Sequence, residues 1–301
     1  MTSSTFRPDA VRVRVPATSA NLGPGFDALG LALALHDEVE ARVVPAGVSV
    51  TVKGEGAGTL PLDEQHLVVR AMYACFDLLG GRPPGLEVVC HNRIPQARGL
   101  GSSSAAIVAG LLAARALVVD GDRMLDAAAL LRLAASLEGH PDNVAPCLLG
   151  GFTIAWTGPG GAHAVRLEPA EHIRPVVFIP QQQSLTEQAR GLLPERVPHV
   201  DAALNAGRAA LLTHALTRQP DLLLAATEDR LHQEYRAPAF PHSAALLRHL
   251  RAAGVPAVIS GAGPTVLAFG APDQDLRGFA TTGFAVCSLS VDSSGAVVLP
   301  T

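Results

Sequence analysis

The chain carries a single lysine, Lys53, and a single tryptophan, and only 17% of its 301 residues are charged. With no lysine after any glycine run, a Walker loop is excluded, because its Gly-Lys-Ser/Thr sets an ammonium against phosphate. A net charge of −4 offers no basic face to nucleic acid or to an anionic membrane. Cys75, Cys90, Cys147 and Cys287 are scattered without a Cys-x-x-Cys pair. Neither a zinc site nor a disulfide framework is indicated, and reduced thiols in a cytoplasmic protein are expected. The polar stretch from Met1 to Ala10, with Pro8, reads as no signal peptide. No apolar run is clean enough to span a bilayer, since Gly110 and Arg115 interrupt the best one. What is plentiful is apolar: 48% of residues are hydrophobic, enough for a real core in one large domain or two of ordinary size.

The richest stretch is Pro95-Gln96-Ala97-Arg98-Gly99-Leu100-Gly101-Ser102-Ser103-Ser104-Ala105-Ala106. A strand pattern precedes it at Leu86 to Cys90, and an Ala/Leu/Val/Ile run of helical length follows from Ala105 to Val119. Gly99 and Gly101 allow the backbone to approach a ligand without Cβ clashes. The free N–H groups and positive end of the following helix would face that ligand, as an anion trap does. The serines could cap the helix, bind phosphate oxygens or place a hydroxyl on a metal ion. Ser104 stands where a dinucleotide fingerprint wants its third glycine, so that reading is poor. On this stretch alone, a phosphate loop and a serine-capped buried helix stay balanced.

Elsewhere, Val11 to Val15 alternates as a strand expected to stop at Pro16. A turn-rich loop, Ala17 to Gly30, follows; it holds Asn21 and Asp27. Leu31 to Val52 reads as β-rich, with turns near Asp37 and Pro45-Ala46-Gly47, and Glu64 to Leu79 has helical spacing. A second Ala/Leu helix is expected over Asp122 to Leu137. It ends in Glu138-Gly139-His140-Pro141-Asp142-Asn143, read as a loop at the core edge. A carboxylate and a serine hydroxyl beside phosphate suit Mg²⁺ better than zinc. The glycines at 150–151 and 158–161 mark a domain boundary, dividing the chain at 1–160 and 161–301. The second half reads as a strand at Arg174 to Ile179, helices at Val200 to Leu216, Leu222 to Tyr235 and His242 to Ala253, and strands at Ala257 to Ile259 and Val266 to Phe269. A helix near Asp273 to Thr281 and a strand at Phe284 to Leu289 close it.

Three segments together are far more specific than any one: Pro16 to Asp27 (PATSANLGPGFD), Arg98 to Ala105 (RGLGSSSA) and Glu138 to Pro146 (EGHPDNVAP). With Ala189-Arg190, Glu228 to Arg236 and Ser260 to Thr265 (SGAGPT), they resemble the GHMP kinase superfamily from about Val11 to Phe269. The likeness is strongest to its branch acting on L-homoserine. The resemblance implies an α+β fold with a ribosomal protein S5 domain 2-like N-terminal half and a ferredoxin-like C-terminal half. It also implies a left-handed β-α-β crossover, against the usual hand. The implied reaction moves the γ-phosphoryl group of ATP to the side-chain hydroxyl of L-homoserine, with Mg²⁺, in a cytoplasmic homodimer of threonine biosynthesis.

Carried over by position, the resemblance assigns Pro95, Arg98, Gly99, Leu100, Gly101, Ser102, Ser103, Ser104 and Ala105 to the ATP phosphates. Ser103 and Glu138 match the Mg²⁺ ligands. Asn21, Asp27, His140, Arg190, Arg236 and Gly263 match the amino-acid site, where two arginines suit a carboxylate and an aspartate an ammonium. Asp142 resembles an aspartate that mevalonate kinase uses as general base; its alternative role is to orient the loop. The sequence departs from the family at Ser104, commonly alanine, at Glu234, usually proline, and at Leu185, often serine. Two rivals are a mevalonate-like small-alcohol kinase and a non-catalytic ligand-binding relative of the fold.

Overall fold

In the computed structural model, which describes residues 5–183, 189–271, 274–280 and 283–300, two sheets carry the architecture. The larger has β1 (Val11–Ala20), β2 (Leu29–Val43), β3 (Gly47–Gly54), β4 (Gly85–Asn92), β5 (Phe152–Gly158), β6 (Gly161–Leu167) and β11 (Val297–Leu299). Its order is β11-β1-β2-β4-β3, with β5 joining β2 and β6 joining β5. The β3–β4 pair is parallel and is bridged by helix α1 (Leu67–Leu78). α2 (Ser102–Leu117) packs on α1 and on β1, so its apolar run is buried on nearly every side.

The smaller sheet has β7 (Arg174–Pro180), β8 (Ala257–Ile259), β9 (Val266–Gly270) and β10 (Phe284–Ser288), in the order β10-β7-β9-β8. Every pair in it is antiparallel, and the chain-order sequence 4-1-3-2 is the ferredoxin-like arrangement. α9 (Pro241–Ala252) covers it through Leu246, Leu247 and Leu250 against Phe178, Ile259 and Val266. The α+β expectation therefore holds for both halves.

Several local expectations do not. β1 runs through Pro16 to Ala20, because Pro16 falls where the register against β2 jumps from Pro16↔His36 to Ala17↔Leu33. A bulge needs no ladder N–H from proline there. β2 makes no turn at Asp37; that carboxylate instead accepts the N–H groups of Arg93 and Ile94 across the sheet. The helix expected over 122–137 is split into α3 (Gly121–Met124) and α4 (Ala127–Glu138), because Asp126 starts a fresh helix by accepting from Ala129 N. The segment after Glu138 is no loop beyond His140. Pro141 opens α5 (Pro141–Leu149), at the first-turn position that tolerates a residue without an N–H.

After α6 (His199–Thr217), the helix expected over 222–235 is also broken, into α7 (Leu223–Ala226) and α8 (Gln233–Arg236). Asp229 causes the break, its carboxylate taking the N–H groups of Leu231, His232 and Gln233. Near 273–281 only a 3₁₀ turn, Arg277–Phe279, stands among the described residues, and 272, 273, 281 and 282 lie outside them. The expected boundary after residue 160 falls in the turn of the β5–β6 hairpin, both strands of which belong to the larger sheet.

Where α1 and α2 touch, a Cβ on Gly110 would strike the Val68 carbonyl oxygen and come within 2.8 Å of Ala71 Cβ. Gly110→Ala should gain about 1 kcal/mol of helix propensity and lose about 1–3 kcal/mol to overpacking against an immovable backbone. Thermal unfolding should show a Tm below wild type by up to about 4–8 °C, a net loss of up to about 2 kcal/mol. A higher Tm would mean that the two helices can move apart.

Candidate active site

The glycine loop is held in place from two sides by backbone. Leu100 O accepts Thr18 N–H of β1 at 3.0 Å, and Arg98 O accepts Thr265 N–H of the β8–β9 connection at 3.2 Å. Ser260 Oγ lies 2.5 Å from Gly99 O and 2.8 Å from Ser19 Oγ. Gly99 (φ 76°) and Gly101 (φ 71°) are left-handed, and a Cβ on either would collide, with Ser260 O or with Thr18 Oγ1. Arg98 ties the loop to the end of β7, donating to Pro180 O (2.9 Å) and Gln181 O (3.0 Å) and back to Gln96 O (3.0 Å).

Gly101, not a serine, is the N-cap of α2, and no side chain caps it. The three serines form the helix's first turn, and two of them reach a carboxylate. Ser103 Oγ donates to Glu138 Oε1 at 2.7 Å and Ser104 Oγ donates to the same oxygen at 2.9 Å. Ser104 is fully buried and serves as a tether, whereas Ser103 is exposed. Glu138 is placed for this as the last residue of α4, just before Gly139 turns the chain at φ 91°.

A second cluster lies across the same cleft. Arg190 forks onto Asp27, with Nη2–Oδ1 at 2.6 Å and Nη1–Oδ2 at 3.1 Å, and both are a little over one-third exposed. Asn21 receives Asp27 N–H at 2.9 Å and donates to Gly261 O at 2.8 Å, so it ties the turn after β1 to the other half. Asn21 and Asp27 both sit at left-handed φ, which asparagine and aspartate tolerate best among side chains.

Arg236 is 1% exposed and pairs with no carboxylate among the described residues. Its Nε donates to Ala189 O at 3.2 Å, and its guanidinium lies 5.3 Å from the Phe26 ring. Burial first, then the Arg190 charge, push Arg236 down to about 10, which still leaves it a cation at neutral pH. His232 fixes it from behind. Nε2–H of His232 donates to Gly23 O at 2.8 Å, so Nδ1 is the acceptor for Arg236 Nη1 at 3.2 Å. Burial lowers the His232 pKa, which keeps that tautomer neutral.

His140 and Asp142 form a third pair, with Nδ1 2.6 Å from Oδ1 and Asp142 1% exposed. Burial works against charging His140. The hydrogen bond and charge of Asp142, with the charge of Glu138, outweigh it and raise the pKa above the ordinary imidazole value. Below the unfolded value near 6.5 this pair contributes its full stability, and the contribution is lost as pH rises through the raised folded value.

One cavity of about 420 Å³ joins these groups. Its wall includes Asn21, Asp27, Arg190, Arg236, Gly263, His140, Asp142 and Glu138, and the loop residues Gly99, Gly101, Ser102, Ser103 and Ala105. Pro95, Arg98, Leu100 and Ser104 lie outside that wall: Leu100 is core, and Arg98 and Ser104 brace the loop. Leu185 and Thr186, both read from sequence, lie outside the described residues. Sequence reasoning missed Phe26, His232 and Asn143, whose Oδ1 lies 2.8 Å from Thr18 Oγ1 beneath Gly101. Their only signal was that each lies inside one of the quoted motifs. Among the described residues no helix is long and apolar enough to cross a membrane, and no group of three or more His, Cys, Asp or Glu could hold a metal.

A nucleotide-sized cleft between an S5-like half and a ferredoxin-like half defines a class of small-molecule phosphotransferases. The chain matches the GHMP kinases N terminal domain over residues 66–151 and the GHMP kinases C terminal domain over 202–281. It belongs to the GHMP kinase family. It is 64% identical to the homoserine kinase of Streptomyces avermitilis, with 100% of this chain and 99% of that protein aligned. The crystal structure of homoserine kinase from Cytophaga hutchinsonii superposes with a TM-score of 0.84 at 26% identity, covering 99% of this chain and 100% of that one. L. major mevalonate kinase in complex with R-mevalonate shares the fold, at TM-score 0.69 and 14% identity over 97% of this chain and 98% of its own.

The His140–Asp142 pair yields a direct test. By NMR, His140 should titrate above the ordinary imidazole range in the wild type. In Asp142→Asn the burial remains while the opposing charge is gone, so the pKa should fall below about 6.5. An unchanged titration would show that Asp142 does not set the state of His140.

Proposed function

We propose that the chain transfers the γ-phosphoryl group of ATP to the side-chain hydroxyl of L-homoserine, giving O-phospho-L-homoserine. The observation that carries this is the placing of Asp27, Arg190 and the carboxylate-free Arg236 in one cavity with the glycine loop. A zwitterion meets that charge set at both ends. Its ammonium takes Asp27 and its carboxylate takes the two guanidiniums, which exchanges the internal Arg190–Asp27 pair for two external ones. Mevalonate has a carboxylate and no ammonium, and would leave Asp27 unmatched. The full-length likeness to homoserine kinases supports the same substrate.

The loop residues Gly99 to Ser103 would cradle the phosphates through the uncapped first turn of α2. Mg²⁺ fits the oxygen donors present, with Ser103 Oγ and the free Oε2 of Glu138 as its protein ligands. When bound with the nucleotide, the ion supplies neutralisation of charge on the transferring group. The remaining work is positioning by this chain's own residues. Asn21 and Asp27 fix the amino acid, and His140 faces the same cavity. Asp142 Oδ1 is hydrogen-bonded to His140 in the same wall, which suits a role in orienting that imidazole more than that of an obligatory base.

A coupled ADP-release assay should give a kcat/KM for homoserine at least roughly a hundred-fold above that for mevalonate. Mevalonate as the better acceptor would overturn the substrate assignment. Glu138→Gln should lower kcat by roughly a hundred-fold or more with Tm little changed, because a metal ligand's charge matters most in the transition state. An unchanged kcat would make Glu138 no more than a helix-end residue.

A further inference from the structure

Arg236 lies in the cavity wall with most of its hydrogen-bonding already taken. Nε donates to Ala189 O at 3.2 Å, and Nη1 donates to His232 Nδ1 at 3.2 Å and reaches Gly261 O at 3.5 Å. Nη2 makes no hydrogen bond among the described residues. A guanidinium is a planar fork, so holding Nε and Nη1 fixes the direction of Nη2 as well. Among the described residues His232 is the only side chain that does the holding. It stands just before α8, one turn ahead of Arg236, whose backbone N–H its own carbonyl receives at 3.1 Å. Its ring is fixed on two further sides. Nε2–H donates to Gly23 O at 2.8 Å, and Phe26 packs on the imidazole with centroids 5.1 Å apart. The same Phe26 ring lies 5.3 Å from the Arg236 guanidinium and 5.7 Å from that of Arg190.

The charged groups facing this imidazole are Arg236, Asp229, whose Oδ2 is 3.8 Å from Nε2, and more weakly Asp27. Asp229 is already occupied by three backbone N–H groups. Burial, opposed by Asp229 and aided by Arg236, lowers the His232 pKa. A proton on Nδ1 would set one N–H against another and a second cation beside Arg236, so the contact requires the neutral ring. We propose that His232 is a positioning residue for the amino-acid substrate: by taking Nη1 it aims Nη2 of Arg236 at the substrate carboxylate, and so sets affinity for a molecule it never touches. This rests on the kinase reading above, which places that carboxylate at Arg190 and Arg236. The other role open to His232 is only to hold the turn at Gly23 through Nε2.

Two substitutions separate these roles, because their amides overlay different ring atoms. In His232→Gln the amide nitrogen falls at the place of Nε2, which keeps the bond to Gly23 O and loses the acceptor for Arg236. In His232→Asn the amide oxygen falls at the place of Nδ1, which keeps the acceptor and loses Gly23. Steady-state kinetics should show KM for homoserine raised at least roughly ten-fold in His232→Gln, with KM for ATP within about two-fold of wild type. His232→Asn should recover at least roughly three-fold of that loss. A larger rise in the Asn variant than in the Gln variant, or equal damage to both substrates, would overturn the proposal. In an Arg236→Ala background, His232→Gln should lower kcat/KM for homoserine by less than about two-fold further, because the group it acts through is gone. A full additional loss there would make His232 a fold residue only. The unmodified protein supplies a measurement that needs no variant: histidine-nitrogen NMR should find Nδ1 of His232 unprotonated in the homoserine complex, and a protonated Nδ1 would also overturn the proposal. A wild type that shows no ATP turnover with homoserine would instead sink the kinase reading itself.

Discussion

The carbonyl groups of Arg98 and Leu100 point to opposite halves of the protein, and each receives a backbone N–H there. That double suspension decides most of what surrounds it. A loop held by β1 on one side and by the β8–β9 connection on the other cannot carry side chains toward either, so glycine stands at 99 and 101. Once the loop is fixed, α2 must start at Gly101, its first-turn serines must lie beside the end of α4, and Glu138 becomes their partner. The two sheets meet at this loop, so the relative placement of the halves and the shape of the phosphate-facing surface are one constraint.

The opposite wall depends on a different economy of charge. Among the described residues Arg236 has no counter-ion, and a buried cation is tolerated only when other dipoles hold it or a ligand completes it. Ala189 O, Gly261 O, His232 Nδ1 and the Phe26 ring share that task at distances of 3.2 to 5.3 Å. His232 can accept only because Gly23 O fixes its tautomer, so a residue with no exposure controls how the cleft presents its positive charge. Asn205 on α6 extends the same bracing, donating to Pro24 O at 2.7 Å and accepting Arg230 N–H at 3.1 Å.

The parts legible in the sequence were those whose physics is local. The glycine loop, the strand before it and the helix after it announce themselves by turn chemistry and periodicity. The Asp27–Arg190 fork links residues 163 positions apart, and only a family likeness could suggest that pairing. Proline misled twice for the same reason. Pro16 sits at a bulge and Pro141 at a helix start, two places where a missing N–H costs nothing, yet each reads from sequence as an end. Asp229, which captures three successive N–H groups, and Asp126, which caps a new helix through Ala129 N–H, interrupt helices whose apolar spacing continues across them, because a carboxylate bound to backbone N–H outweighs periodicity. Asp37 looked like a turn former and proved to be a cross-sheet brace, since its neighbours at 93–94 are remote in the chain.

The last strand, β11, lies against the first, with Val13 opposite Val298. Residues 174–288, with the whole smaller sheet, are therefore spliced into the larger one and do not simply follow it. On a ribosome, β1 emerges well before β11 and keeps an open edge until that strand arrives. An unpaired edge is a template for other chains, so the interval between first and last strand is the period of greatest exposure to aggregation. Synthesis speed, chaperone access and any truncation near the carboxyl end all act on that one seam.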